Sequence, residues 1–159
     1  MAIPLIVILS CVIFPGCNYS KGAKKNLRTG LSFSYNGFIV RDVLLIDPAN
    51  KPMTDNKVQL NSQMAIVALG INNYGLKDGK AFPGMMLLVT DKMGTPVLNA
   101  ADLFAGDQGH PPASANELRG DITIARPMVA GETYHVKVRV WDKVKADNEL
   151  NIEADLVVQ

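Results

Sequence analysis

The chain contains only two cysteines, Cys11 and Cys17, and both lie near its N-terminus. The rest of the sequence therefore cannot form a disulfide, and its folded part must be held together by a hydrophobic core alone. Histidines are equally scarce, and the sequence has neither a Gly-x-Ser-x-Gly motif nor a phosphate-binding glycine motif. These absences leave no recognisable residue set for nucleophilic catalysis, zinc binding or nucleotide binding. We therefore predict no enzyme activity, no metal site and no cofactor.

An excess of charge of one sign is also lacking, because 16 Lys and Arg residues face 15 Asp and Glu residues. This near-neutral balance argues against a nucleic acid as the partner. The positive charge is unevenly placed, however: residues 18–30 hold no acidic residue but four basic ones, Lys21, Lys24, Lys25 and Arg28. A short basic stretch suits a tether close to a membrane surface, and a linker that is basic by chance is the alternative.

The longest apolar run, AIPLIVILSCVIF, occupies residues 2–14. It has the length of the hydrophobic region of a signal peptide and is short for a membrane span, which needs about 20 residues. Pro15-Gly16-Cys17 ends the run, and a small residue directly before a cysteine at this place resembles the lipobox of bacterial lipoproteins. Release without a lipid and an uncleaved anchor remain alternatives, and Cys11 is a second candidate for lipid attachment.

The lipobox resemblance implies a division of the chain into three parts. Residues 1–16 would be a signal peptide that is removed, residues 17–30 would be the lipidated Cys17 with a basic linker, and residues 31–159 would be the folded domain. The mature protein would then be extracytoplasmic, in the periplasm or at the cell surface, with the membrane as a partner through its lipid. Two or three acyl chains anchor firmly, because each buried methylene contributes about 0.8 kcal/mol.

From residue 31 onward, hydrophobic residues recur at every second position, as in Leu31, Phe33 and Tyr35. Turn signals such as Asn36-Gly37 separate the apolar segments, and no segment has the pattern of an amphipathic helix. We therefore predict an all-β domain, a sandwich or a barrel of eight or nine short strands. The strands are expected at residues 31–35, 38–46, 57–60, 64–71, 84–90, 96–98, 118–125, 133–142 and 150–158.

The last two predicted strands allow a prediction of their pairing. A hairpin centred on Ala146 would bury the valines of the first strand against the aliphatic residues of the second. In that pairing Arg139 faces Glu153 and Lys137 faces Asp155 on the outer face of the sheet, and such opposite charges favour it. The apolar pattern and the charge pattern thus select the same register.

The run Gly131-Glu132-Thr133-Tyr134-His135-Val136-Lys137-Val138 enters this hairpin. It resembles the Gly-x-x-Tyr-x-Val-x-Val stretch of fibronectin type III domains, and this resemblance implies an immunoglobulin-like antiparallel β-sandwich of seven to nine strands. The resemblance implies a tyrosine corner, in which the Tyr134 ring is buried and its hydroxyl hydrogen-bonds to the preceding loop. The pattern from Pro83 onward also resembles lipoproteins common in Bacteroidetes, and more loosely carbohydrate-binding sandwiches with an Asp-x-x-Gly turn.

Four candidate contact residues come from the outer face of the last hairpin. Trp141, the only tryptophan, is expected there together with His135, Lys137 and Arg139. An exposed aromatic ring beside cations suits contact with a sugar or with a partner protein. The alternative is that another strand or loop covers the ring.

Two long loops, residues 72–83 and 105–116, supply two further candidates, Tyr74 and His110. Loops carry binding residues more often than cores do, although packing explains each of these residues equally well. The last hairpin loop is rich in oxygen-bearing side chains, and Ca²⁺ prefers such ligands. The spacing is not that of an EF-hand, so we interpret Asp142, Asp147, Asn148 and Glu149 as solvated turn residues.

Together, export, a lipid anchor, a sandwich fold and the lack of catalytic groups favour a binding or interaction module of the cell envelope. Its ligand would be a glycan or an envelope protein. The alternative is a structural or accessory subunit of a larger envelope assembly. An enzyme is disfavoured, since the sequence offers no base beside a nucleophile.

Overall fold

A computed structural model describes residues 20–159, and this part of the chain contains twelve β-strands and no helix. The predicted all-β class is therefore confirmed. The signal peptide predicted at 1–16 and the lipid-attachment residue Cys17 lie outside the described residues, as does Cys11. The strands are β1 (Lys21–Lys25), β2 (Ser32–Asn36), β3 (Asp42–Ile46), β4 (Lys57–Val58), β5 (Ser62–Leu69), β6 (Leu76–Lys77), β7 (Lys80–Ala81), β8 (Pro83–Thr90), β9 (Pro96–Ala100), β10 (Glu117–Ile124), β11 (Thr133–Asp142) and β12 (Glu149–Val158).

Two sheets pack face to face as a sandwich. The larger sheet has the order β1-β2-β12-β11-β8-β9, with β4 paired to the end of β12, and the smaller has the order β10-β5-β3. Setting aside β1, β2 and the two-residue strands leaves seven strands. The first, second and fifth of these, β3, β5 and β10, share one sheet. The other four, β8, β9, β11 and β12, share the second sheet. This partition is of the immunoglobulin type.

The core lies between the two sheets because each long strand alternates buried and exposed residues. In β10 every second residue is buried, and β11 and β12 bury Val136, Val138, Ile152 and Leu156 against it. Each fully buried aliphatic side chain contributes about 1.5–3 kcal/mol relative to an exposed one. The two-residue period of the sequence thus becomes the inner and outer faces of the sheets.

The first difference from the sequence prediction is β1, a strand at residues 21–25 where a linker was expected. β1 pairs antiparallel with β2 and places Lys21 opposite Asn36 and Lys25 opposite Ser32. Its side chains are mostly exposed, so the hydrophobic alternation of a half-buried strand is missing from its sequence. The sheet therefore begins at Lys21, ten residues before the predicted domain boundary at residue 31.

The second difference is the register of the β11–β12 hairpin. Lys137 lies opposite Glu153, and Arg139 lies opposite Asn151, so the predicted pairs of Lys137 with Asp155 and of Arg139 with Glu153 were wrong. The shift amounts to two residues on β12, and it therefore leaves every side chain on the face that was predicted. A pattern with a period of two cannot distinguish registers that differ by two.

The predicted tyrosine corner is confirmed. Tyr134 is buried, and its hydroxyl accepts a hydrogen bond of 3.0 Å from the backbone N–H of Val129 in the loop before β11. The ring packs in the core, while the hydroxyl gives the backbone N–H group of the loop a hydrogen-bond acceptor. One side chain thus ties the loop between β10 and β11 to the larger sheet.

The outward face of the smaller sheet is polar on β10, with Glu117, Arg119 and Asp121, but it is mainly aliphatic on β3 and β5. It carries Leu44, Ile46, Ala65, Val67 and Leu69. The guanidinium of Arg119 on β10 hydrogen-bonds the Asn50 side chain at 3.1 Å. Because Asn50 follows β3 at the other edge of this sheet, the Arg119 side chain covers part of the aliphatic face.

Candidate functional site

The outward-facing residues of β2, β12 and β11 lie side by side and form what we call the polar face. Its members are Ser32, Ser34 and Asn36 of β2, Glu149, Asn151, Glu153 and Asp155 of β12, and His135, Lys137, Arg139 and Trp141 of β11. They point outward because the residues between them on each strand point into the core. The four candidates predicted on the last hairpin are thus brought together, and their contact role stays a prediction.

Three side-chain pairs cross from β11 to β12 on the polar face, two of them ion pairs. The N···O distances are 2.8 Å for His135–Asp155, 3.7 Å for Lys137–Glu153 and 2.9 Å for Arg139–Glu149. Exposed pairs of this kind contribute about 0–1 kcal/mol to stability. They therefore matter less for the fold than for the pattern of charge that they present to a ligand.

Trp141 lies at one end of the polar face and is partly covered. Its ring packs directly over Gly84 on β8, where any Cβ would collide with it. The guanidinium carbon of Arg139 lies 5.4 Å from the ring centroid, a cation–π distance. The hydrogen bond that Arg139 donates to Glu149 raises the pKa of Arg139, and the bonds that Glu149 accepts from Arg139 and Asn151 hold the pKa of Glu149 below its usual value. Both groups therefore stay charged around neutral pH.

Tyr74 is held by packing. Its ring meets that of Phe38 edge to face with centroids 5.0 Å apart, and its hydroxyl donates a 3.0 Å hydrogen bond to the carbonyl of Ala115. Burial, and to a lesser extent the negative charge of Asp142, raise the pKa of Tyr74 well above its usual value of 10.0. These contacts are with the core and the loops, so Tyr74 serves to position the loop 72–83.

His110 joins the two long loops. Its backbone pairs in both directions with Ala81, at 2.8 and 2.9 Å, and its ring packs edge to face against Phe104. Its Nε2 lies 2.8 Å from a carboxylate oxygen of Asp107. The structure therefore places Tyr74 and His110 in the joined loops rather than on the polar face with Trp141.

A buried polar cluster holds these loops to the end of the β11–β12 hairpin. The Asp142 carboxylate accepts hydrogen bonds from the backbone N–H groups of Gly75 at 2.6 Å and Val144 at 2.9 Å. The Asn148 side-chain amide donates to Asp142 at 3.2 Å and to the carbonyl of Asn73 at 2.6 Å. Both side chains are at most 2 % exposed. They fix the hairpin loop and the loop 72–83 in one arrangement.

The turn predicted at Asn36-Gly37 belongs to the same cluster. Gly37 has a φ of 72°, in the left-handed region that favours glycine. A side chain at this position would collide with the side-chain oxygen of Asn148. Only glycine fits both requirements.

Most of the oxygen-bearing side chains of the last hairpin loop, the candidates for calcium binding, form hydrogen bonds within the protein. Both Asp142 oxygens accept N–H hydrogen bonds, and Glu149 is paired with Arg139. Across residues 20–159, His, Cys, Asp and Glu side chains form no group of three that could hold a metal ion. Asp142 and Asn148 are buried, so the prediction that they are solvated turn residues was wrong, because their side chains bond to the loop 72–83 instead of to water.

Sequence reasoning missed a groove of about 530 Å³ that lies between β1, β2 and β12 and is continuous with the polar face. Its side chains include Ala23, Lys25, Ser32, Ser34, Asn151 and Glu153. Small residues of β1 and β2 form its floor, and the longer Lys25 and Glu153 side chains flank it. The alternating serines of β2 were visible in the sequence, but their pairing with β12, more than 100 residues away, was not.

Comparison of the sequence with family models gives no match, and comparison with curated proteins gives none either. No helix within residues 20–159 has the length and hydrophobicity needed to cross a bilayer. The arguments about function therefore rest on the polar face, the groove and the loops.

Proposed function

We propose that the protein is an exported, membrane-anchored binding module of the cell envelope, and that its polar face and groove bind a glycan. The observation that carries the proposal is the groove, where hydroxyl, amide, carboxylate and ammonium groups converge on one outward surface. A ligand rich in hydroxyl groups can hydrogen-bond to all four types. No metal or cofactor is required for such binding.

The dimensions of the site also suit an extended ligand. Trp141 on β11 and Lys25 on β1 lie three strands apart across the sheet and four residues apart along the strands, a diagonal of about 19 Å. An aromatic ring at one end offers an apolar surface for stacking, and the charged and hydroxyl groups beyond it offer hydrogen bonds.

Attachment to a membrane is part of the same proposal. It rests on the apolar run at residues 2–14 and on Cys17 in the lipobox-like sequence. Whole-protein mass measurement on protein from membranes tests it, since a diacylglyceryl group on Cys17 and loss of residues 1–16 change the mass in a defined way. Protein that keeps residues 1–16 and an unmodified Cys17 would contradict lipidation.

The glycan proposal is tested by an array of envelope glycans, followed by titration calorimetry on each hit. We expect Trp141→Ala and Asn151→Ala each to weaken binding about tenfold, as the loss of one stacking or hydrogen-bonding contact does. Thr123→Ala on the outward face of β10 is the matched control, and it should bind like the wild type. A blank array, or equal affinity for all four proteins, would contradict the proposal.

A second candidate function, an accessory subunit of an envelope assembly, is favoured by the aliphatic outward residues of β3 and β5 in the smaller sheet. Leu44 and Leu69 are only partly buried there, and apolar surface of this kind is common in protein interfaces. Native mass spectrometry of protein released gently from membranes discriminates the two functions. A co-purifying protein that is lost in a Leu44→Lys variant favours the subunit, whereas a monomer favours the glycan-binding module.

A further inference from the structure

The point at which the chain enters the sheet constrains how the domain lies relative to a membrane. Ser20 accepts a 2.7 Å hydrogen bond from the backbone N–H of Gly37, and β1 begins at the next residue. Only three residue steps separate Cys17 from Ser20, and even fully extended they span at most about 11 Å. A membrane anchor at Cys17 therefore holds this end of the sandwich close to the lipid headgroups.

Two segments project from the same end of the sandwich. One is the β6–β7 hairpin, residues 76–81, and the other is the hairpin loop at residues 143–147. They adjoin, because the position of a Cβ on Gly75 lies about 3 Å from the side chains of Val144 and Lys145. We call these two segments the anchor-proximal loops. The Asp142 carboxylate accepts hydrogen bonds from Gly75, directly before the first segment, and from Val144 in the second, and so ties them together.

The anchor-proximal loops expose aliphatic side chains that have no evident role in the fold. Leu76 is 53 % exposed and Val144 is 43 % exposed. Neither belongs to the core between the sheets. These aliphatic residues project beside the point where the membrane tether joins the domain. A bilayer at the end of that tether would be the apolar environment closest to them outside the protein.

The charges around these aliphatic residues are mainly positive. Each of the two segments holds two lysines and one aspartate, and Lys21 lies at the start of β1 at the same end. Within residues 20–159, Lys21, Lys77 and Lys145 are in no ion pair. Unpaired lysines beside a bilayer are attracted by anionic lipids, at about 1 kcal/mol each near the surface.

We propose that the anchor-proximal loops rest on the membrane, with Leu76 and Val144 in the interfacial layer and the lysines on anionic lipid headgroups. The inference rests on the membrane anchor of the proposed function and does not depend on glycan binding. It holds for a lipid on Cys17 and for an uncleaved anchor alike, because the tether is short in both. It places the strands of the polar face along the membrane normal, with Trp141 nearest the lipid and His135 farthest from it.

Lysine labelling on the wild-type chain tests the proposal without any substitution. Full-length protein is reconstituted in vesicles of phosphatidylethanolamine and phosphatidylglycerol, treated with a water-soluble acetylating reagent and analysed by mass spectrometry, with detergent-released protein as the reference. We expect Lys77 and Lys145 to react several-fold more slowly on vesicles than in detergent. Lys51 and Lys92, at the opposite end of the sandwich, are internal controls and should react equally in both.

The outcomes separate the two proposals. Protein that sediments with vesicles but shows equal labelling of Lys77 in vesicles and in detergent would overturn the resting surface and leave the anchor standing. Protein that does not sediment with vesicles at all would overturn both the anchor and this surface. Sedimentation with selective protection of Lys77 and Lys145 supports both.

A second measurement reports insertion of the aliphatic side chains. Leu76→Trp, Val144→Trp and, as the matched control, Met93→Trp are made in a Trp141→Phe background, and circular dichroism verifies that each folds. Met93 is 85 % exposed in the turn at the opposite end. With lipids brominated near the glycerol, we expect the fluorescence at positions 76 and 144 to fall about twofold and that at 93 to stay constant. Equal quenching at all three positions would contradict the proposal.

Discussion

Two regions of the molecule use the same residue types in opposite ways. The Asp142–Asn148 cluster contains a carboxylate and an amide that are at most 2 % exposed, bond to each other and are bonded to three partners in the loops. The polar face contains carboxylates and cations as well, but the Lys137 and Glu153 side chains are 51 % and 54 % exposed. Burial decides which polar groups hold the fold and which are free to meet a ligand.

The physical reason for the difference is desolvation. A buried donor or acceptor that loses its partner costs about 1–3 kcal/mol, because water cannot replace the lost bond. An exposed ion pair is replaced by hydration when it breaks, so its net contribution is small. The comparison therefore predicts large effects of substitution in the cluster and small ones on the polar face.

The largest effect is expected for Asp142→Ala, which leaves the N–H groups of Gly75 and Val144 without an acceptor. We expect a loss of about 3 kcal/mol in the free energy of unfolding. Urea unfolding followed by circular dichroism measures it. Asp147→Ala in the same loop is the control, because Asp147 is exposed and its substitution should cost less than about 0.5 kcal/mol. Equal effects of the two substitutions would remove the distinction between buried and exposed groups.

The pair formed by Asp102 and Lys143 is half-buried and lies between the buried cluster and the exposed polar face in its expected effect. Burial disfavours the Asp102 carboxylate, but hydrogen bonds from Lys143 and from the backbone N–H groups of Phe104 and Met85 outweigh it and lower the pKa below 3.8. The stabilisation by the charged form is therefore present above pH 3.8 and is lost as the pH falls through the lowered pKa. We expect Asp102→Asn to cost about 1.5 kcal/mol at pH 7 and progressively less below pH 3.8. A cost that does not change with pH would contradict this assignment.

A smaller effect is expected for Tyr134→Phe, which removes one buried hydroxyl. This hydroxyl lies at the end of the sandwich opposite to the Asp142–Asn148 cluster. The ring and its packing remain, and only the hydrogen bond to Val129 is lost. We expect a loss of about 1 kcal/mol in chemical denaturation, with an unchanged dependence on urea concentration. Tyr35→Phe serves as the comparison, and a loss for Tyr134→Phe no greater than for that control would show that the tyrosine corner adds nothing.

The smallest effect is expected for Lys137→Ala on the polar face. The Lys137–Glu153 pair is exposed and 3.7 Å long, so its removal should change stability by about 0.3 kcal/mol. The same variant should alter glycan affinity more clearly than it alters stability. A stability loss above about 1 kcal/mol would show that the polar face also holds the fold together.

The sequence predicted the elements whose side chains divide strictly between core and solvent. β10, β11 and β12 alternate buried and exposed residues along their length, and the Gly-x-x-Tyr pattern located the tyrosine corner. The same alternation placed Trp141 and Arg139 correctly on the outward face. These features depend only on which side of a strand a residue occupies, and a two-residue period records that.

The sequence did not predict features that depend on what each strand pairs with. β1 carries mostly exposed residues and is a strand because its backbone hydrogen-bonds to β2 at the sheet edge. The groove arises because β2 pairs with β12, far away in the chain. The burial of Asp142 and Asn148 was also missed, because short polar residues at a hairpin loop have the same pattern whether they face water or a neighbouring loop.

The amino-acid sequence by itself determined the all-β class, the inward and outward faces of the long strands, and the scarcity of catalytic groups. Only the tertiary structure decided the register of the last hairpin, the groove beside β1 and the polar cluster that fixes the loops. The reason is that side-chain burial follows local alternation, whereas backbone pairing and loop contacts join residues that are distant in the chain.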